Sequence, residues 1–292
     1  MTEEKNYFKG YETKITNEEV DQIVERIITA KAAENNTKEV IKTIFSCIDL
    51  TSLNHTDTEK SIKDLVDKVN NFNDIYPDMP AVAAICVYPT MVNTVKENLT
   101  KNIQIASVSG GFPSSQTFME VKIAETSLAL YDGATEIDTV ISVGKFLAAD
   151  YETVKEELIE IKAACKEAHI KIILESGTLK TAENIKKASI LAIRCGANFI
   201  KTSTGKTEPA ANLSAAYIMC KTIKEFYDKT GEKVGFKPAG GIVSTTDAIN
   251  YYTIVKEVLG NEWLNKSLFR IGASRLSNNI LSEIYNKNIL YF

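Results

Sequence analysis

Two lysines stand inside apolar runs, where a charge is costly. Lys201 lies in Phe199-Ile200-Lys201-Thr202-Ser203-Thr204-Gly205-Lys206, and Lys237 in Val234-Gly235-Phe236-Lys237-Pro238-Ala239-Gly240-Gly241. Lysine is almost never fully buried unless paired. Burial disfavours the ammonium form and a second cation nearby disfavours it further; the free amine that results is the form that attacks a carbonyl. A single strand lysine reads most simply as a snorkelling stem or half of an ion pair. Two of them, each running into a glycine turn, point instead to a Schiff-base nucleophile and a neighbour that lowers its pKa. Lys201 is the better nucleophile, because its segment passes directly into a Gly-Lys pair suited to an anion.

Carboxylates interrupt two further apolar runs: Asp49 in Ile48-Asp49-Leu50-Thr51 and Asp138 in Glu136-Ile137-Asp138-Thr139. Asp138 suits a general acid/base or a counter-ion to the lysines. Asp49 can tether Lys237, order the first loop or move protons. Cys86, in Ile85-Cys86-Val87-Tyr88, has no basic partner in sequence and is expected to line the pocket rather than attack. Thr51 and Thr204 stand beside these groups and, with Asp49 and Cys86, are assigned to the substrate.

These residues need elements that bring them together. Apolar runs recur at Thr43–Leu50, Ala81–Tyr88, Ile103–Val108, Thr135–Ser142, Ile170–Ser176, Asn198–Thr202, Lys233–Pro238 and Leu268–Ala273. Their continuous hydrophobicity predicts strands buried on both faces, as in parallel sheets. Amphipathic stretches lie between them at Ser115–Tyr131, Tyr151–Ala168, Glu183–Cys195, Ser214–Tyr227 and Thr246–Leu259. Eight strand–helix units in 292 residues with no linker fit one (β/α)₈ TIM barrel, an α/β fold, better than two halves of a doubly wound sheet. The whole of 1–292 is therefore read as a single domain. Residues 1–40 form an N-terminal helical extension, whose helix near Asn17–Ala33 is capped by Asn17 and expected to cover the barrel bottom.

In such a barrel the chemistry sits at the C-terminal strand ends, which is where the residues above fall. The turns Gly205-Lys206, Gly240-Gly241 and Gly272-Ala273-Ser274 follow three late strands. Backbone N–H groups in such turns either make a phosphate site or simply reverse the chain. Thr204-Gly205-Lys206-Thr207 imitates the end of a P-loop, but the first glycine of that motif would fall on Ile200, so nucleotide binding by a P-loop is rejected.

Composition narrows the classes. A net charge of -4 offers no case for nucleic acid. No apolar run approaches the roughly 20 residues needed to span a bilayer. Five dispersed cysteines without a C-x-x-C pair, behind a polar start at Met1–Asn6 unlike a secretory signal, predict reduced thiols in a cytoplasmic protein. Two unclustered histidines, His55 and His169, disfavour a metal site, and no cofactor is expected.

Taken together, the lysine segments, Ile48–Asn54, Ala83–Pro89, Gly133–Asp138 and Arg270-Ile271-Gly272-Ala273-Ser274 resemble the deoxyribose-phosphate aldolase family over roughly Ile44 to Leu281. The two lysine segments are the specific part. The resemblance implies a class I aldolase, a lyase that splits 2-deoxy-D-ribose 5-phosphate reversibly into acetaldehyde and D-glyceraldehyde 3-phosphate. It places the imine on Lys201, pKa tuning on Lys237 and proton transfer on Asp138. It assigns the phosphate to Gly205, Lys206, Gly240, Gly241, Gly272 and Ser274. Many members carry an arginine after the Gly-Gly turn, where this chain has Val243; Arg275 either supplies that charge or is a solvent-facing helix arginine. Some members use a C-terminal tyrosine as proton donor, yet the ending Leu290-Tyr291-Phe292 is better read as a frayed or packed terminus. A different Schiff-base aldolase and a silent phosphosugar-binding barrel are the rival readings. The expected partners are the small sugar phosphate, acetaldehyde and a second copy in a homodimer.

Overall fold

Eight short strands pair in parallel: Ile48–Thr51 (β1), Ala84–Val87 (β2), Gln104–Ser109 (β3), Glu136–Val140 (β4), His169–Ile173 (β5), Phe199–Lys201 (β6), Gly235–Lys237 (β7) and Ile271–Ala273 (β8). The spatial order is β7-β6-β5-β4-β3-β2-β1-β8, and parallel bridges Phe236–Phe269 and Ala239–Gly272 join the two ends. The sheet so closes into a TIM barrel with helices outside, as the strand count predicted. This computed structural model describes residues 7–292; the polar start at Met1–Asn6 lies outside the described residues.

Side-chain alternation explains how an apolar strand can carry charge. Ile137, Ile172, Ile200 and Phe236 face the helices and belong to the large outer core. Their neighbours Asp138, Lys171, Lys201 and Lys237 point inward, where they bond one another. Register sets who meets whom: Asp138 pairs with Lys171 across β4–β5, and Lys201 with Lys237 across β6–β7. The opposite inner wall is apolar, a small separate cluster of Leu53, Ala84, Cys86, Ala106 and Val108.

Three expectations need correction. The first run, Thr43–Leu50, is half helix: Lys38–Ser46 is helical with Thr37 as N-cap, and the strand begins only at Ile48. Ile41, Ile44 and Phe45 are buried at helical spacing there, so the helical lead-in ends at Ser46 and not at residue 40. The helix Asn17–Lys31 is capped by Thr16 in a capping box with Glu19, not by Asn17. Asn17 instead accepts from the Ala182 N–H at 2.7 Å and donates to the Lys180 carbonyl. Finally, this helix does not cover the barrel bottom. It runs down the outer wall against the helices Leu213–Thr230 and Thr245–Leu259, tied at one end by Ser214–Asp21 and, just past its other end, by Asn35–Thr253.

Candidate active site

Lys201 ends β6 with its Nζ donating to Asp138 Oδ2 at 2.8 Å. The same oxygen accepts from Lys237 Nζ at 2.7 Å, and Lys237 also donates to Asp49 Oδ2 at 2.5 Å. The three sequence-selected charges and Asp49 are thus one cluster, and Asp49 is the tether of Lys237. Its other carboxylate oxygen accepts from Arg270 at 2.7 Å.

Sequence reasoning missed three members. Lys171 donates to Asp138 Oδ1 at 2.9 Å and pairs with Glu136 at 2.6 Å. Arg270 holds Glu136 with two bonds, 2.8 and 3.0 Å. All seven side chains are buried. A signal for Lys171 existed: Ile170-Lys171-Ile172-Ile173 buries a lysine in an apolar run just as the segments of Lys201 and Lys237 do.

The network polarises the lysines differently. Burial and the neighbouring Lys237 cation lower the Lys201 pKa below its ordinary value, against the pull of Asp138. Burial also disfavours the ammonium of Lys171 and of Lys237, but each has two carboxylates in direct contact, and both are raised. Burial alone would raise the Asp138 carboxyl; the cations of Lys171, Lys201 and Lys237 hold it well below the carboxylate range. Among the three lysines only Lys201 is moved toward the free amine.

Above Lys201 opens a cavity of about 400 Å³. Lys201, Thr51, Thr204, Gly205, Lys206, Gly240, Gly241, Gly272, Ser274 and Arg275 all line it, so the residues assigned to the phosphate and two of the four assigned to the substrate share one space with the amine. Asp138, Lys237, Asp49 and Cys86 are not in its lining. The Cys86 thiol, contrary to expectation, does not line the cavity: it is fully buried in the apolar cluster with Ala84, Ala106 and Val108, and burial pushes it up, the setting of a packing residue rather than a nucleophile. Gly240 has φ +90°, and a Cβ there would stand 2.8 Å from Ala210 Cβ. Lys206 extends its ammonium to the Leu53 carbonyl oxygen.

Ser52, Asn54, Asn278 and Phe292 also line the cavity, and no sequence signal marked them. The tail is packed, as its simpler reading held. Asn278 Oδ1 accepts from the backbone N–H of Tyr291 and of Phe292, both at 2.9 Å. The Tyr291 hydroxyl donates to the Lys68 carbonyl at 2.7 Å, and its ring sits among Phe72, Tyr76 and Phe292.

Comparison with known proteins bears on this arrangement. Residues 43–253 match the model of the DeoC/LacD family aldolases. The deoxyribose-phosphate aldolase of Homo sapiens is 42% identical over 250 residues, 82% of this chain and 79% of that protein. That of Bos taurus is 41% identical over 252 residues, with the same coverage. A solved structure, the tetrameric deoxyribose phosphate aldolase from Aeropyrum pernix, superposes with a TM-score of 0.68 over 89% of this chain and 97% of its own; at 24% identity it shows the fold.

Proposed function

The chain belongs to the DeoC/LacD aldolase family, and from that premise we propose that it cleaves 2-deoxy-D-ribose 5-phosphate reversibly to acetaldehyde and D-glyceraldehyde 3-phosphate through an imine on Lys201. The observation that carries this reading is the depressed, solvent-reachable amine of Lys201 at the floor of a cavity whose rim is three glycine turns and two cations.

In this reading the Lys201 amine adds to the C1 aldehyde and loses water to give the iminium. A proton leaves the C3 hydroxyl, the C2–C3 bond breaks, and its electron pair flows into the iminium to leave an enamine. Glyceraldehyde 3-phosphate departs. The enamine takes a proton at C2, and water releases acetaldehyde. Asp138, ionised and 2.8 Å from Nζ, is the group assigned to these proton transfers. Lys237 stays charged, anchored by Asp49 and Asp138, and keeps the Lys201 ammonium unfavourable. The phosphate is assigned to the N–H groups of Gly205, Gly240 and Gly241 with Gly272 and Ser274, and Lys206 and Arg275 supply charge.

Two coarser features join the proposal. Five free, buried thiols support a reducing, cytoplasmic location, and the exposed apolar Phe118, Val121, Leu128 and Tyr131 along the helix Met119–Tyr131 and the residue before it support a homodimer. The chemistry is tested by reduction with borohydride in the presence of acetaldehyde. An ethyl adduct on Lys201 is expected, absent from Lys201→Leu. An adduct elsewhere, or none, removes the mechanism.

A further inference from the structure

The seven buried charges do not balance. Lys171, Lys201, Lys237 and Arg270 are four cations, and Asp49, Glu136 and Asp138 are three anions, linked without a break by contacts of 2.5–3.0 Å. Among the described residues the other buried carboxylates stand outside the set: Glu175 is turned to the N–H and hydroxyl of Thr204, and Glu157 pairs with Lys122 and Lys145. Removing charges from water is expensive unless they are compensated, so one excess cation is the least stable member of the set. Three cations have at least two carboxylate contacts each. Lys201 alone has a single carboxylate and opens onto the cavity. The set reaches neutrality when Lys201 gives up its proton.

We propose that Lys171 is a positioning residue for this chemistry: by occupying Asp138 Oδ1 and Glu136 it spends the carboxylate charge that would otherwise hold Lys201 as an ammonium. This rests on the imine reading of Lys201 and extends it to a residue that never touches substrate. The groups facing the set are Asp49 from β1, Cys86 from β2, Glu136 and Asp138 from β4, Lys171 from β5, Lys237 from β7 and Arg270 ahead of β8. The half-exposed His169 lies 4.0 Å from Glu136. Lys171 is wholly buried and bonds only within the set, so its charge acts on Lys201 through Asp138 and not through solvent.

Charge counting predicts shifts of opposite sign. Lys171→Met leaves three cations for three anions, so Lys201 keeps its proton to higher pH. Glu136→Gln leaves four cations for two anions, so Lys201 loses its proton at lower pH. The measurement is the initial rate of the ethyl adduct on Lys201 with acetaldehyde and cyanoborohydride, as a function of pH, on the full chain. Relative to the wild-type midpoint, Lys171→Met is expected about one unit or more higher, a roughly tenfold loss of reactive amine on the acid side. Glu136→Gln is expected lower, and Lys171→Arg close to wild type. If Lys171→Met does not fold, Glu136→Gln and Lys171→Arg decide alone. Midpoints that stay in place, or move the same way in Lys171→Met and Glu136→Gln, overturn the proposal while a wild-type adduct on Lys201 leaves the imine reading standing. Absence of that wild-type adduct removes the imine reading itself.

Discussion

Asp49 accepts from Lys237 and Arg270 while fully buried, and the cations around it hold its carboxyl below the ordinary value in spite of the desolvation that opposes them. A carboxyl depressed in the folded state contributes stability above its unfolded pKa, near 4, and loses it as pH falls toward the folded value. Asp49→Asn removes that contribution and leaves two buried cations short of an anion, a change of about 3–5 kcal/mol for pairs of this kind. Urea unfolding should therefore show a large deficit for Asp49→Asn at neutral pH and a deficit that shrinks below about pH 4; a deficit of constant size would count against the linkage. The same cluster shows what residue-level reading of the sequence can reach. Asp49, Asp138, Lys201 and Lys237 were legible because each breaks an apolar run beside a turn or strand end. Lys171 breaks a run as plainly, but two residues short of the mouth, and only the strand register reveals that it shares Asp138 with Lys201. Glu136 and Arg270 sit at strand starts, where charge is ordinary in sequence, and their burial follows from closure of the barrel.

Elements were legible wherever one period ran long enough. The helices Leu213–Thr230 and Thr245–Leu259 lie within three residues of their sequence-derived bounds, because their apolar faces repeat over four turns. The lead-in to β1 was not, since Ile41, Ile44, Phe45 and Ile48 form one apolar run in which helix and strand adjoin. At the barrel mouth the turn elements, more than any single side chain, define the proposed phosphate subsite. Gly240 has left-handed backbone and stands against Ala210 and the Gly205 backbone, so Gly240→Ala strains the turn and displaces its N–H groups. Arg275, exposed at the rim, contributes charge without shaping the turn. Both Gly240→Ala and Arg275→Ala should raise KM for 2-deoxyribose 5-phosphate, with turnover of unphosphorylated 2-deoxyribose unchanged within about twofold in Arg275→Ala. An unchanged KM in Arg275→Ala would return that residue to the role of a solvated helix arginine.

The whole molecule presents one outer face that the barrel does not need. Along the helix Met119–Tyr131 and the residue before it, Phe118, Val121, Leu128 and Tyr131 are 77%, 48%, 63% and 88% exposed. Their spacing places them on one stripe, and Val121 and Leu128 also line a groove of about 690 Å³ together with Tyr88, Pro89, Ala124 and the acidic Glu120, Glu125 and Asp132. An aromatic side chain buries roughly 150–250 Å², so Phe118 and Tyr131 alone offer on the order of 300 Å², already the size of the largest apolar patch on a typical monomer. The proposed homodimer would place this stripe at a two-fold interface. Light scattering should give twice the protomer mass for the native chain and the protomer mass for Leu128→Glu combined with Tyr131→Glu, with the Lys201 adduct retained in both because the stripe lines no part of the cavity. A native chain that scatters as a single protomer at micromolar concentration would leave the stripe without its partner.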